Sequence, residues 1–224
     1  MLAEMEDCNH GFKTVVEHDG EQVSAIRGEA LRTPLTTCNE ALSQLQRLVG
    51  ASIRCSAVEL NVIADARANC THWLDLTVLA INQIPRESDT RLYDVAVTDE
   101  INGLSQLRVY LDGELVHDWR ARGMELLGPG RLAGCTLFRG FATWASKRFE
   151  GDELESALVL QRGNFVAQAR RKDPHGSDSG QSAKAHGRGA VCYSYSPGNV
   201  ERATHLPDSV RDFTDAPEQL LRFV

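Results

Sequence analysis

The run from Arg67 to Ile81 (RANCTHWLDLTVLAI) constrains the fold most, because reactive side chains and a nearly all-apolar helical pattern share the same few residues. From Trp73 onward, Leu74, Leu76, Val78, Leu79, Ala80 and Ile81 leave almost no polar side, so the spacing predicts a central helix. Asn69 is a favoured N-cap and puts Cys70, Thr71 and His72 in the first turn, where unpaired N–H groups and the helix dipole favour negative charge. A thiol in that position is expected to ionise more readily than a free one. His72 and Asp75 are three apart, so on a helix they share a face and the carboxylate can orient the imidazole.

With 224 residues and 42% hydrophobic content the chain can bury a core as one large domain or two small ones. Its net charge of -7, with no basic cluster beyond Arg170 to Lys172, argues against nucleic acid or an anionic membrane surface as a partner. No apolar run reaches the length of a bilayer span, and the first ten residues are acidic where a signal peptide would be basic, so a cytoplasmic location is expected. Cysteines 8, 38, 55, 70, 135 and 192 are scattered without a CxxC pair, which argues for reduced thiols, most of them packed and one or two chemical.

Taken in order, residues 1 to 12 read as a solvated acidic arm, with Asp7, Cys8 and His10 close together and His10 able to fold over a site. Residues 12–18 and 22–31 alternate around Asp19-Gly20 and predict a β-hairpin. A helix is expected from about Cys38 to Val49, stopped by Gly50, and a short helix or loop over 51–66. After a polar linker at 85–90, strands 92–97, 106–111 and 115–120 are joined at Asn102-Gly103 and Asp112-Gly113, forming an antiparallel meander. Two further helices are expected at 137–149, with an aromatic stripe of Phe141 and Trp144, and at 152–161. The segment 172–190 reads as a flexible loop with solvated His175 and His186. Residues 191–196 read as a strand, and Asp215 to Glu218 as a capping box opening a last short helix in a tail that docks on the body. The fold class is thus α+β: one domain over 1–171, with lobes 12–84 and 91–171, a loop over 172–190 and a tail over 191–224. The nonapeptide from Asp19 echoes that from Asp112, which raises a duplicated hairpin-helix-helix unit.

Several marks together resemble a bacterial family catalogued as a domain of unknown function. They are His10, the His18-Asp19-Gly20 turn, the Pro34-x-Thr-Thr-Cys38 box, the Cys70-Thr-His72 box with Asp75-Leu76, Tyr93-Asp94, Asp112-Gly113, Gly140-Phe-x-x-Trp-Ala145, Cys192-Tyr-x-Tyr-x-Pro-Gly198 and Arg211-Asp-Phe-Thr214. The resemblance spans nearly the whole chain and implies no activity; Trp73 stands where that family usually has leucine. A weaker likeness, through Arg67-x-x-Cys70 before an apolar helix, is to scaffold proteins of iron-sulfur cluster assembly.

Three functional readings follow. In the first the chain is a cofactor-independent hydrolase or lyase acting on a small apolar or aromatic substrate, with His72 as acid/base, Asp75 orienting it and Cys70 as nucleophile or donor. Trp73, Phe141 and Trp144 would line the substrate pocket. In the second, Cys38, Cys70 and His72, with His10, hold zinc or iron. The third is a non-catalytic binding or interaction module. No phosphate loop, nucleotide fingerprint or nucleophile elbow is present, so no nucleotide cofactor is expected. The expected partner is a small molecule, with a homodimer left open.

Overall fold

The computed structural model describes residues 1–86, 88, 90–172, 179–186, 189 and 191–223. His175 and the side chain of His186, read above as solvated, lie outside the described parts. The fold is α+β, with two antiparallel sheets and two compact units: residues 1–87 with 173–224, and residues 88–172.

In the first unit, β1 (Leu2–Glu6), β2 (Gly11–His18) and β3 (Val23–Arg32) form a sheet in sequence order. Alternation on β2 turns Phe12, Thr14 and Val16 to a buried face. Across that face lies α3 (Thr71–Gln83), with Trp73, Leu74, Leu76, Val78, Ala80 and Ile81 all buried, so the expected central helix is central. Trp73 stacks on Phe12 at 4.9 Å between centroids and donates from Nε1 to Thr14 Oγ1 at 2.8 Å. Burying an indole of that size is worth about 5 kcal/mol in transfer free energy, and the hydrogen bond removes the cost of hiding its N–H. Gly28 on β3 keeps the sheet close to the ring, since a Cβ there would lie 2.6 Å from Trp73 Cζ2.

Before α3 come a run of 3-10 and α turns over 38–48, which includes α1 (Leu42–Leu45), and then α2 (Ala57–Ile63). A capping box between Ser56 and Glu59 fixes the start of α2. The tail packs on this unit: Thr36 N–H donates to Thr204 O, Leu206 N–H to Pro34 O, Tyr193 N–H to Asn69 O and Arg211 N–H to Cys8 O.

In the second unit, β4 (Tyr93–Val97), β5 (Ser105–Leu111), β6 (Glu114–Arg122) and β7 (Glu125–Gly128) form the expected meander, extended by one strand. Asn102 and Gly103, and Asp112 and Gly113, hold the paired positive φ values that tight hairpins require. Asp19 lacks a positive φ, so the Asp-Gly echo in sequence does not extend to backbone shape. The sheet is covered by α4 (Phe141–Ala145) and α5 (Gly151–Lys172), and its core contains Leu107, Val109, Trp119, Leu126, Phe141 and Leu160.

Five elements depart from the sequence reading, the first being the helix expected from Cys38 to Val49, which is broken into a four-residue α1 between two 3-10 turns. The acidic arm is a strand: β1 pairs with β2 through Met5↔Phe12 and Glu6↔Gly11. The helix expected over 137–149 is cut to α4 because Gly140 at its start has φ 83°, whereas α5 runs on to Lys172. Residues 191–196 form no strand; a 3-10 turn at Tyr193–Tyr195 stands there, anchored through Asn69 O. The last helix is a single 3-10 turn at Pro217–Gln219 with no side-chain cap.

Candidate functional site

Residues 7–10 close the hairpin between β1 and β2. Asp7 folds this loop on itself: Oδ1 accepts the N–H of Asn9 at 2.6 Å and of His10 at 2.8 Å, while Asp7 N–H donates to His10 O. The His10 ring returns to the same carboxylate, with Nδ1 3.0 Å from Oδ1 and 3.1 Å from Oδ2. Arg32, at the end of β3, fastens the loop from below. Its guanidinium donates to the carbonyls of Asp7, Cys8, His10 and Ser209 and to Glu6 Oε1. The Glu6 side chain is 1% exposed and the Arg32 side chain 9%, so this ion pair holds the loop in a dry setting.

His72 reaches the loop from the first turn of α3. Its ring stacks on His10 with centroids 4.2 Å apart and planes 28° from parallel, and His10 in turn stands beside Phe12 at 5.8 Å. One donor atom from each of Asp7, His10 and His72 lies within 4.8 Å of the others. Burial alone would raise the Asp7 pKa, but the charge and hydrogen bond of His10, the charge of His72 and the Asn9 N–H together bring it down to about 2. Asp7 is therefore a carboxylate throughout the neutral range.

Two imidazoles and a carboxylate suit zinc or iron. Two ligand atoms each about 2.1 Å from one ion sit about 3.0 to 3.4 Å apart, and the His10–Asp7 separation of 3.0 Å is already in that range. Alternatively His10 Nδ1–H donates to Asp7, the carboxylate then fixing the tautomer and leaving Nε2 as the unprotonated nitrogen.

The cysteines behave differently from the sequence expectation. Cys70, and not Asn69, is the N-cap residue of α3; the Asn69 amide instead donates back to Ala64 O and Asp65 O. Tyr193 N–H donating to Asn69 O and Thr71 Oγ1 donating to Val191 O set residues 191–193 antiparallel to 69–71, which puts Cys192 opposite Cys70. This cover dries the helix start. Burial pushes the Cys70 thiol well above its ordinary range, with Cys38 and Cys192 adding to the shift. Cys38, buried and 3.4 Å from Ser194 Oγ, is pushed up to about 11 by the same cause. The ready thiolate expected at the helix start is thus corrected, because burial outweighs the N–H groups of Trp73 and His72 that favour ionisation.

Of the residues named from sequence, the structure joins His72 and His10 and adds Asp7. Cys38 and Cys70 stand together at the covered helix start and are not in the Asp/His group. Asp75 lies half-buried one turn along α3. Trp73 is a core residue, not a pocket wall; Phe141 is buried against Trp119 in the other unit, and Trp144 is half-buried there. Asp7 and Arg32 were missed as site residues, although the Asp7-x-x-His10 spacing was a readable signal. His117, tilted against both Trp119 and Phe149 with Nε2 on Glu153 O at 2.8 Å, is a satisfied core histidine.

No protein-family model, curated protein or solved structure matches this chain. No helix among the described residues is long and apolar enough to cross a membrane.

Proposed function

We propose that the protein is a metal-dependent enzyme that holds one zinc or iron(II) ion at Asp7, His10 and His72. Its activity is that of a hydrolase or lyase on a small organic molecule. The observation that carries this reading is the convergence of two imidazoles and one carboxylate, from a hairpin loop and a helix start, within 4.8 Å. Three protein ligands leave coordination positions open for water and substrate, which is the pattern of catalytic rather than structural sites. Arg32 supports the reading by fixing the loop that carries two of the three ligands. None of the six cysteines is in a disulfide, which fits a reducing compartment, so we place the protein in the cytoplasm.

Elemental analysis of protein purified without chelator tests the assignment. Near one equivalent of zinc or iron is expected in the wild type and well under that in His72→Ala. A folded wild type holding no more metal than the variant removes the reading.

A second reading rests on the His10–Asp7 hydrogen bond: without metal, the pair is an oriented imidazole able to act as general base through Nε2, with His72 beside it. It predicts activity that survives exhaustive chelation and is lost in His10→Gln.

A further inference from the structure

The second unit carries an open surface pocket of about 380 Å³, separate from the Asp/His group and built from residues 131–148, at which Arg131, Arg139 and Arg148 are all exposed. Arg131, Arg139 and Arg148 line it together with Trp144, Cys135 and Thr136, and no Asp or Glu is in the lining. This concentration of positive charge stands out in a chain of net charge -7. Three other arginines of the same unit meet carboxylates: Arg108 pairs with Asp118 at 3.3 Å, Arg171 with Glu100 at 3.4 Å and Arg91 with Asp152 at 2.8 Å. The three cavity arginines have no ion pair among the described residues.

One of them is already positioned. Arg148 lies over the Trp144 ring at 4.4 Å and donates to Trp144 O at 3.4 Å, so part of its rotamer freedom is spent before any ligand arrives. Arg139 lies over Phe138 at 5.8 Å. Guanidinium charges clustered at an exposed pocket repel one another weakly through water, and an anion that joins them removes that repulsion. Guanidinium groups present forked donors that match the oxygens of phosphate and carboxylate. A single carboxylate offsets one of three charges, whereas a phosphate monoester carries roughly two and offers three acceptor oxygens.

We propose that this cavity binds the phosphate group of a small molecule, with Arg131, Arg139 and Arg148 as its ligands and Trp144 as the wall beside it. The group comes either as free phosphate or as a monoester of an organic molecule. A monoester gains apolar contact with the Trp144 edge and binds more tightly than inorganic phosphate.

Isothermal titration of the full chain with inorganic phosphate, phenyl phosphate and benzoate tests this. Saturable one-site binding is expected for both phosphates and about tenfold weaker binding for benzoate. Arg139→Gln and Arg148→Gln each weaken phosphate about tenfold, the usual loss for a charge-assisted hydrogen bond, while Arg108→Gln leaves it unchanged. Tighter binding of phenyl phosphate assigns the cavity to an organic monoester, and equal binding assigns it to free phosphate. No saturation by either phosphate at millimolar concentration overturns the proposal. So does equal affinity for benzoate, or binding that survives in the Arg139→Gln/Arg148→Gln double variant.

Discussion

His10 and His72 stack face to face, 4.2 Å between ring centroids, although one is carried by a hairpin loop and the other by the start of the central helix. The stacking brings two imidazoles to one place, and the Asp7 carboxylate on the same group of atoms faces both with a negative charge.

Arg32 is expected to control both the stability of the first unit and the geometry of the loop. Arg32→Leu leaves buried Glu6 with only the more distant Arg211, at 4.0 Å, as a cation and strips donors from four carbonyls, so a loss of about 3 kcal/mol is expected in urea unfolding. Arg32→Lys recovers only part of it, because one ammonium cannot reproduce the planar fork. Equal stability of wild type and Arg32→Leu would contradict the assignment.

Asp7 gives a pH dependence of known sign. Its folded pKa of about 2 lies below the unfolded value of about 3.9. The group therefore contributes stability above the unfolded value and loses it as pH falls through the folded one. Asp7→Asn is expected to cost about 2 kcal/mol near pH 5, and the difference between variant and wild type shrinks as the pH approaches about 2. Chemical denaturation at a series of pH values reads this directly; a difference that stays constant over that range argues against a native carboxylate held by the two histidines.

Gly28→Ala is expected to destabilise by about 2 kcal/mol. The added Cβ meets the Trp73 ring at 2.6 Å and Lys13 O at 3.0 Å, and the indole cannot retreat while held by Phe12 and Thr14. Thermal unfolding checks it, and an unchanged midpoint would show that the sheet and α3 stand further apart.

Thiol labelling at mildly alkaline pH is expected to distinguish the cysteines. Cys38 and Cys70 are buried, with pKa values pushed up by that burial, and should label only on unfolding; the other four are half-buried and should label sooner. Fast modification of Cys70 in the folded protein, mapped by peptide mass, would restore it as a nucleophile.

Much of this architecture was legible because it is set by local chemistry. Asn102-Gly103 and Asp112-Gly113 could be placed at turns from their preference for positive φ, and α3 from a run with no polar side. What escaped depends on tertiary partners. The short acidic strand β1 has no strong alternation of its own and owes its place to pairing with β2. Tyr193 and Tyr195 have strand-like spacing, yet the bond from Tyr193 N–H to Asn69 O is compatible with a 3-10 turn lying over the helix start. The same cover reversed the expected chemistry of Cys70, since sequence places a thiol at a helix start but does not say whether water reaches it. For the site, His72 was legible as a first-turn histidine. Asp7 became a partner only when the hairpin loop brought it to His10 and the sheet brought both to α3.

The most direct test of the central claim is a cobalt(II) titration of the metal-free protein followed by visible absorption, with His72→Ala, His10→Ala and Cys70→Ser in parallel. One cobalt per chain is expected, with a weak d–d spectrum of nitrogen and oxygen ligands and no thiolate charge-transfer band. That spectrum is lost in both histidine variants and retained in Cys70→Ser. A strong thiolate band abolished by Cys70→Ser, or a cobalt spectrum in His72→Ala indistinguishable from wild type, would contradict a metal held by Asp7, His10 and His72.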